Sequence, residues 1–186
     1  TTVITTSSGG SGPNPLSAHG HRDRSVREPA TTLAMIRRAM PRFVVQQHDA
    51  TTLHFDLRIE DGGVLRSWAV PKGPSMDPAV RRLAVPVEDH SMAAGEFEGV
   101  HEGSSRGSGV VIIWDEGTVD LVRNEPGHVS FVLHGHKLAG GFALTRTGER
   151  RWILVKARDE QARPGSDITA ERPGSVRSGR TWQELV

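Results

Sequence analysis

Residues 53–60 read LHFDLRIE. Every second side chain, Leu53, Phe55, Leu57 and Ile59, is apolar; those between, His54, Asp56, Arg58 and Glu60, are polar or charged. A two-residue period is the pattern of a strand with one face against a core. The other face differs from an ordinary wet one, because it carries an imidazole, a carboxylate and a guanidinium in succession. Side chains two residues apart on a strand stand about 6.5–7 Å from one another on the same side. His54 and Asp56 can therefore converge on one cation above the sheet, with Arg58 next along.

The pattern extends outward. RFVVQQHD (42–49) and VLRSWAVP (64–71) alternate in the same way, and DGG (61–63) between the second pair is a tight hairpin signal. Further strands are expected over RLAVPVEDH (82–90), GSGVVIIWDEG (107–117), TVDLVRN (118–124), HVSFVLHG (128–135), GGFALTRT (140–147) and RWILVKARD (151–159). Short strands at intervals of about ten residues, separated by glycine turns, point to an all-β fold, an antiparallel barrel or sandwich. Trp68, Trp114 and Trp152 fall inside apolar strands and are assigned to the core. ATTLAMIRRAM (30–40) is expected as a short N-terminal helix capped by Thr31 or Thr32. Residues 1–20 are rich in Ser, Thr, Gly and Pro and are expected as a disordered tail. The expected organisation is a tail over 1–20, a barrel domain over 21–160 and an extension or linker over 161–186.

Composition narrows the class. With 186 residues, 21 Gly, 11 Pro and 35% apolar residues, the chain suits a turn-rich β architecture with one core. The net charge of +1 gives no global basic field, though a local basic groove is compatible with it. There is no cysteine, which excludes disulfides and thiolate metal sites and fits a reducing cytoplasm. No apolar run approaches the roughly 20 residues that span a bilayer. Thr1 in place of Met fits an excised fragment or a processed chain.

The chemistry suggested by the first strand pair needs a third ligand, and His48, just before the turn, is the nearest. Two imidazoles and a carboxylate suit a borderline divalent metal such as Mn, Zn, Co or Fe. Arg58 is a planar donor fork suited to a phosphate beside it. The alternative is a solvated face with an Asp56–Arg58 ion pair. His90, ending VEDH, is a candidate phosphate donor or general acid, or else a surface histidine. Lys72 in WAVPKG is a candidate loop cation, or a solvated charge.

These stretches resemble a known family. RFVVQQHDATTLHFDLRIEDGGVLRSWAVPKGP is similar to the opening of the 3′-phosphoesterase domain of bacterial ligase D, the DNA ligase of non-homologous end joining. RLAVPVEDH, FEGV, VIIWDEGT, LHGHKLAGGFALTR and RWILVKARD follow in that family's order, and RPGSVRSGRT resembles its C-terminal extension. The resemblance runs from about Arg22 to Val186.

It implies a small closed antiparallel β-barrel with a polar groove on its outer surface. It also implies a metal-dependent, usually manganese-dependent, activity that removes a 3′-terminal ribonucleotide and then the 3′-phosphate; zinc and cobalt are the alternative metals. By the resemblance, His48, His54 and Asp56 are the metal ligands and Arg58 and His90 contact the phosphate. Gln46 and Glu88 support the groove, Lys72 and Arg82 assist the phosphomonoesterase step, and Arg22, Asp23 and Glu28 match a charged N-terminal motif. The implied partners are DNA 3′ ends and the ligase, polymerase and Ku proteins of end joining, in the cytoplasm at the nucleoid.

The sequence departs from the family pattern at three places. Ala94 stands where members carry Tyr, Ser91 where they carry Pro, and EGSSRGSG (102–109) replaces a loop usually read PEGEYGAG, with Arg106 at its Tyr. Two functions from different classes follow: a 3′-end-processing enzyme, and a module that binds DNA ends with its catalysis weakened.

Overall fold

The computed structural model describes residues 40–101 and 109–186. The expected tail over 1–20 and all but the last residue of the expected helix over 30–40 lie outside them. Among the described residues, nine strands form one antiparallel sheet: β1 (Arg42–Asp49), β2 (Leu53–Asp61), β3 (Val64–Val70), β4 (Arg82–His90), β5 (Gly99–His101), β6 (Gly109–Glu125), β7 (His128–Gly135), β8 (Ala139–Gly148) and β9 (Arg151–Lys156). The order β1-β2-β3-β4-β9-β8-β7-β6 closes through pairing of β1 with β6, so eight strands make a barrel; β5 adds to the free edge of β6. A short α-helix, α1 (Ile168–Glu171), follows the barrel. No helix among the described residues is long and apolar enough to cross a membrane.

The hairpin that sets the site follows from DGG. Asp61 pairs with Val64, which leaves Gly62 and Gly63 as a two-residue loop. Their φ values, 62° and 85°, are both left-handed, as a type I′ turn requires. This register puts Asp56 opposite Ala69 and Arg58 opposite Ser67. The apolar parity of β1–β3, with Phe43, Val45, Phe55, Leu57, Ile59, Trp68 and Val70, points into the barrel and meets Trp114, Phe131, Leu133, Phe142, Leu144, Trp152 and Leu154. Trp68 and Trp152 pack edge to face at 5.9 Å, as do Phe55 and Trp114 at 5.4 Å. Burying a large apolar side chain of this kind contributes about 1.5–3 kcal/mol.

One expectation and one alternative are corrected. The sequence reads a turn between 117 and 118, yet β6 runs unbroken through Gly117. A side-chain carbon there would lie 2.1 Å from the His134 carbonyl oxygen, so Gly117 serves close approach of β7 and not a reversal. The alternative of a solvated polar face on β2 does not hold at its centre, which is covered: residues 55–59 are buried on both faces. The cover is the stretch 91–98, with a 3-10 turn at Met92–Glu96. It lies so close that a side-chain carbon on Gly95 would stand 2.9 Å from Leu65 and 3.2 Å from Val44.

The residues after β9 return along the barrel. Ile168 of α1 is buried in the core cluster, and the Arg163 N–H donates to the Met76 carbonyl at 2.8 Å. Beyond α1, the Arg172 carbonyl accepts from Trp114 Nε1 at 2.9 Å, and the Val176 N–H donates to the Ile113 carbonyl at 2.9 Å.

Candidate metal centre

β1 and β2 bring the two histidines together because His48 and His54 are direct partners across the strand pair. Their rings lie 5.0 Å apart between centroids. Asp56, two residues on from His54, completes a set whose ligand atoms all lie within 4.8 Å of one another. A shared ion with bonds of about 2.0–2.2 Å would draw these atoms somewhat closer together, a change within side-chain rotation. His54 Nδ1 lies 2.8 Å from the Thr52 carbonyl oxygen. A carbonyl only accepts, so Nδ1 carries the proton, and in the neutral ring Nε2 then keeps a lone pair, the tautomer a metal ligand needs. Nε2 stands 3.6 Å from Asp56 Oδ1, long for a hydrogen bond. The donor set of two imidazoles and a carboxylate therefore fits a borderline divalent cation.

Electrostatics favours the ionised, ligand form of Asp56 and, in competition with a cation, the protonated form of His54. The Asp56 carboxylate raises the His54 pKa, with burial opposing it. Burial works against ionisation of Asp56, but His54, Arg58 and His48 together hold its carboxyl below the ordinary range.

Arg58 is 8% exposed and is held on three sides. Its Nε donates to Gln46 Oε1 at 2.7 Å, Nη1 to Ser67 Oγ at 3.0 Å and Nη2 to Asp56 Oδ2 at 3.1 Å. Among the described residues these bonds take three of the five guanidinium N–H groups, which leaves two for a ligand. Gln46, 2% exposed, is fixed in turn, its amide donating to the Ala94 and Phe97 carbonyls at 3.0 and 2.9 Å. Position 94, where the sequence departs from the family pattern, thus contributes through its backbone.

The other sequence candidates fall elsewhere. His90 ends β4 opposite Leu65, with Nδ1 2.7 Å from the Glu88 carbonyl oxygen, which leaves its Nε2 as the available nitrogen. It stands two strands from β2 and outside the set of three. Lys72 and Arg82 line a depression with Gln47, Leu53, Phe55, Asp167 and Thr169. Gln47, Leu53 and Phe55 alternate with the ligand residues along β1 and β2, so this depression opens at the same end of the strand pair on its other side. Arg22, Asp23, Glu28 and Arg106 lie outside the described residues. Sequence reasoning missed Ser67, although the DGG turn counts it directly opposite Arg58. It also missed the 91–98 cover, for which no local pattern gives a signal.

Comparison with known proteins gives the family. A family model described as the DNA ligase D 3′-phosphoesterase domain matches residues 46–146, which hold the three ligand residues and Arg58. The multifunctional non-homologous end joining protein LigD of Pseudomonas aeruginosa is 50% identical over 151 residues, 75% of this chain and 18% of that protein. The protein of the same name from Mycobacterium bovis is 38% identical over 150 residues, and that from Mycolicibacterium smegmatis 34% over 159, covering 20% and 21% of their lengths. The chain thus spans about a fifth of the length of these relatives. With more than half of its residues under the family model, this chain belongs to the DNA ligase D 3′-phosphoesterase domain family.

Proposed function

We propose that the chain is a metal-dependent phosphoesterase of DNA repair that processes 3′ ends, removing terminal ribonucleotides and 3′-phosphates to leave a 3′-hydroxyl for ligation. The observation that carries this reading is the convergence of His48, His54 and Asp56 beside a guanidinium with two uncommitted N–H groups. Manganese, with zinc or cobalt as alternatives, would be held by those three residues and would supply Lewis-acid polarisation of the terminal phosphate. Arg58 presents its free N–H groups to the phosphate oxygens, where developing negative charge is stabilised by donors already in place. Its own position is fixed by Gln46, Ser67 and Asp56, so little reorganisation accompanies binding.

His90 offers Nε2 to a further oxygen or to the leaving group, and Glu88 fixes its tautomer through the backbone carbonyl. Lys72 and Arg82 add positive field at the barrel end, and Arg22, Asp23 and Glu28 contribute from the N-terminal segment. Among the described residues no side chain facing the site is placed as a covalent nucleophile, and water is the attacking group in phosphate release. The substrate is a primer–template or duplex 3′ end, met in the cytoplasm at the nucleoid alongside the ligase, polymerase and Ku proteins of end joining.

A second reading is a DNA-end-binding module with weakened catalysis. Ala94, Ser91 and the changed 102–109 stretch favour it. One experiment separates the two. The protein is incubated with manganese and a duplex carrying either a 3′-phosphate or a single 3′-terminal ribonucleotide, and products are resolved on a gel. Shortened and dephosphorylated strands are expected; tight binding of both duplexes without product would favour the module.

A further inference from the structure

The hydrogen bonds that hold Arg58 lead out of the site to a part of the chain far away in sequence. Gln46 sets Arg58, and the carbonyls of Ala94 and Phe97 set Gln46. Those carbonyls belong to the 91–98 cover, most of which is not sheet, so something else must fix it. Glu98 does so. Its Oε2 accepts from the Ile113 N–H at 2.8 Å and from Ser175 Oγ at 2.6 Å. Ile113 lies opposite Gln46 in the β1–β6 pairing, beside a bulge at Trp114. Its N–H is thus tied to Glu98 and its carbonyl to Val176, beyond the point where β5 stops pairing with β6.

Ser175 Oγ also accepts from the backbone N–H groups of Arg177 and Ser178 at 3.0 and 3.1 Å, which directs its hydrogen to Glu98. Arg177 clamps the same stretch from outside. It donates to Glu96 at 2.7 Å and to both oxygens of Glu116 at 2.7 and 2.6 Å, while Arg42 takes the other Glu96 oxygen. Exposed ion pairs contribute little singly, and the half-buried Glu98–Ser175–Ile113 junction is the firmer anchor.

We infer that Glu98, fastened by Ser175 of the C-terminal turn and by Ile113, is a positioning residue that acts through the Ala94 and Phe97 carbonyls and Gln46 to aim Arg58 at the terminal phosphate. This rests on the phosphoesterase reading. It makes the C-terminal turn part of the working site, so the grip on a 3′-phosphate depends on that turn being docked. A displacement of about 1 Å at a reacting group costs on the order of 100-fold in rate.

The test uses the full chain with manganese and a 3′-phosphorylated duplex. Glu98→Ala is expected to lower kcat/KM for phosphate release by about 10- to 100-fold. Glu98→Gln, whose amide oxygen still accepts from Ile113 and Ser175, recovers most of it. Manganese affinity, read by titration followed by electron paramagnetic resonance, stays at the wild-type value in both. In an Arg58→Lys background Glu98→Ala adds little, because both act on one guanidinium position.

Wild-type kcat/KM in Glu98→Ala overturns the inference. So does a loss that multiplies in full with that of Arg58→Lys, or one that comes with collapse of manganese binding and of the melting transition. If the wild-type protein releases no phosphate, it is the phosphoesterase reading that fails. The relay is then judged by affinity for the phosphorylated duplex: a drop of about tenfold in Glu98→Ala sustains it, and equal affinity overturns it.

Discussion

Asp56 on β2 and Asp115 on β6 are both buried strand carboxylates, 7% and 0% exposed, yet the barrel treats them in opposite ways. Asp115 is closed on every side: Oδ1 accepts from the backbone N–H groups of His136 and Lys137 at 2.9 and 3.1 Å, and Oδ2 from that of Leu138 at 2.8 Å. It holds the turn between β7 and β8, and burial pushes its pKa up in spite of those donors. Asp56 gives one oxygen to Arg58 and leaves the other facing an imidazole nitrogen 3.6 Å away.

The cations beside them differ in the same sense. Lys137 spends its ammonium on the Arg172 and Gly174 carbonyls and on the Trp114 ring at 4.3 Å. Arg58 keeps two N–H groups in hand. A buried polar cluster whose valences are all filled locks a fold. One that converges with valences left over is built to receive something.

The sharpest way to break this contrast is His54→Ala. With one of the three proposed ligands gone, 3′-phosphate release is expected to fall by at least about 1,000-fold, on the order of 4 kcal/mol of transition-state stabilisation. The melting temperature should change little, because His54 is only partly buried. Full activity in a phosphate-release assay would end the metal reading.

Asp115→Asn should behave the other way round. An amide must set its NH2 against one of the backbone donors, and the expected loss is about 2–3 kcal/mol of unfolding free energy. Chemical denaturation measures that loss, while activity per folded molecule stays at the wild-type level. Arg58→Lys comes next. It keeps the charge but loses the fork that joins Gln46, Ser67 and Asp56, so kcat/KM should drop by about 10- to 100-fold. A variant as active as wild type would show that a point charge suffices there.

A pH-dependent effect concerns Lys137, whose pKa burial lowers from 10.5 to about 8. Between those two values the unfolded chain binds more protons than the folded one, so stability from this group rises with pH. Below pH 8 both states are protonated and the cost of the buried ammonium is fully present. The difference in unfolding free energy between wild type and Lys137→Met should therefore move in favour of wild type from pH 8 to pH 10.5, by no more than about 1.4 kcal/mol per pH unit. A flat difference would mean that the two carbonyls and the indole replace water completely.

The strand pair was legible because its determinants are local. Alternation in LHFDLRIE puts His54, Asp56 and Arg58 on one side, a short turn brings His48 opposite His54, and DGG fixes the β2–β3 register. The break expected at Gly117 failed for a physical reason: glycine serves both a turn and close backbone approach, and a sequence does not distinguish them. Lys72 and Arg82, which the resemblance assigns to the phosphomonoesterase step, line the depression on the other side of β1 and β2, a placement no local pattern marks.

By itself, then, the sequence determined most of the strands, the parity of the proposed ligand set and the chemistry those side chains can perform, since a two-residue period and a two-residue turn act over a few residues of chain. Only the tertiary structure decided that the polar face lies under a cover, that Gln46 aims Arg58, and that Glu98 and Ser175, 77 residues apart, hold the cover down. Those contacts come from where a closed barrel returns distant segments. No periodicity marks Glu98 or Ser175, because each meets its partners only after the strands between them have paired.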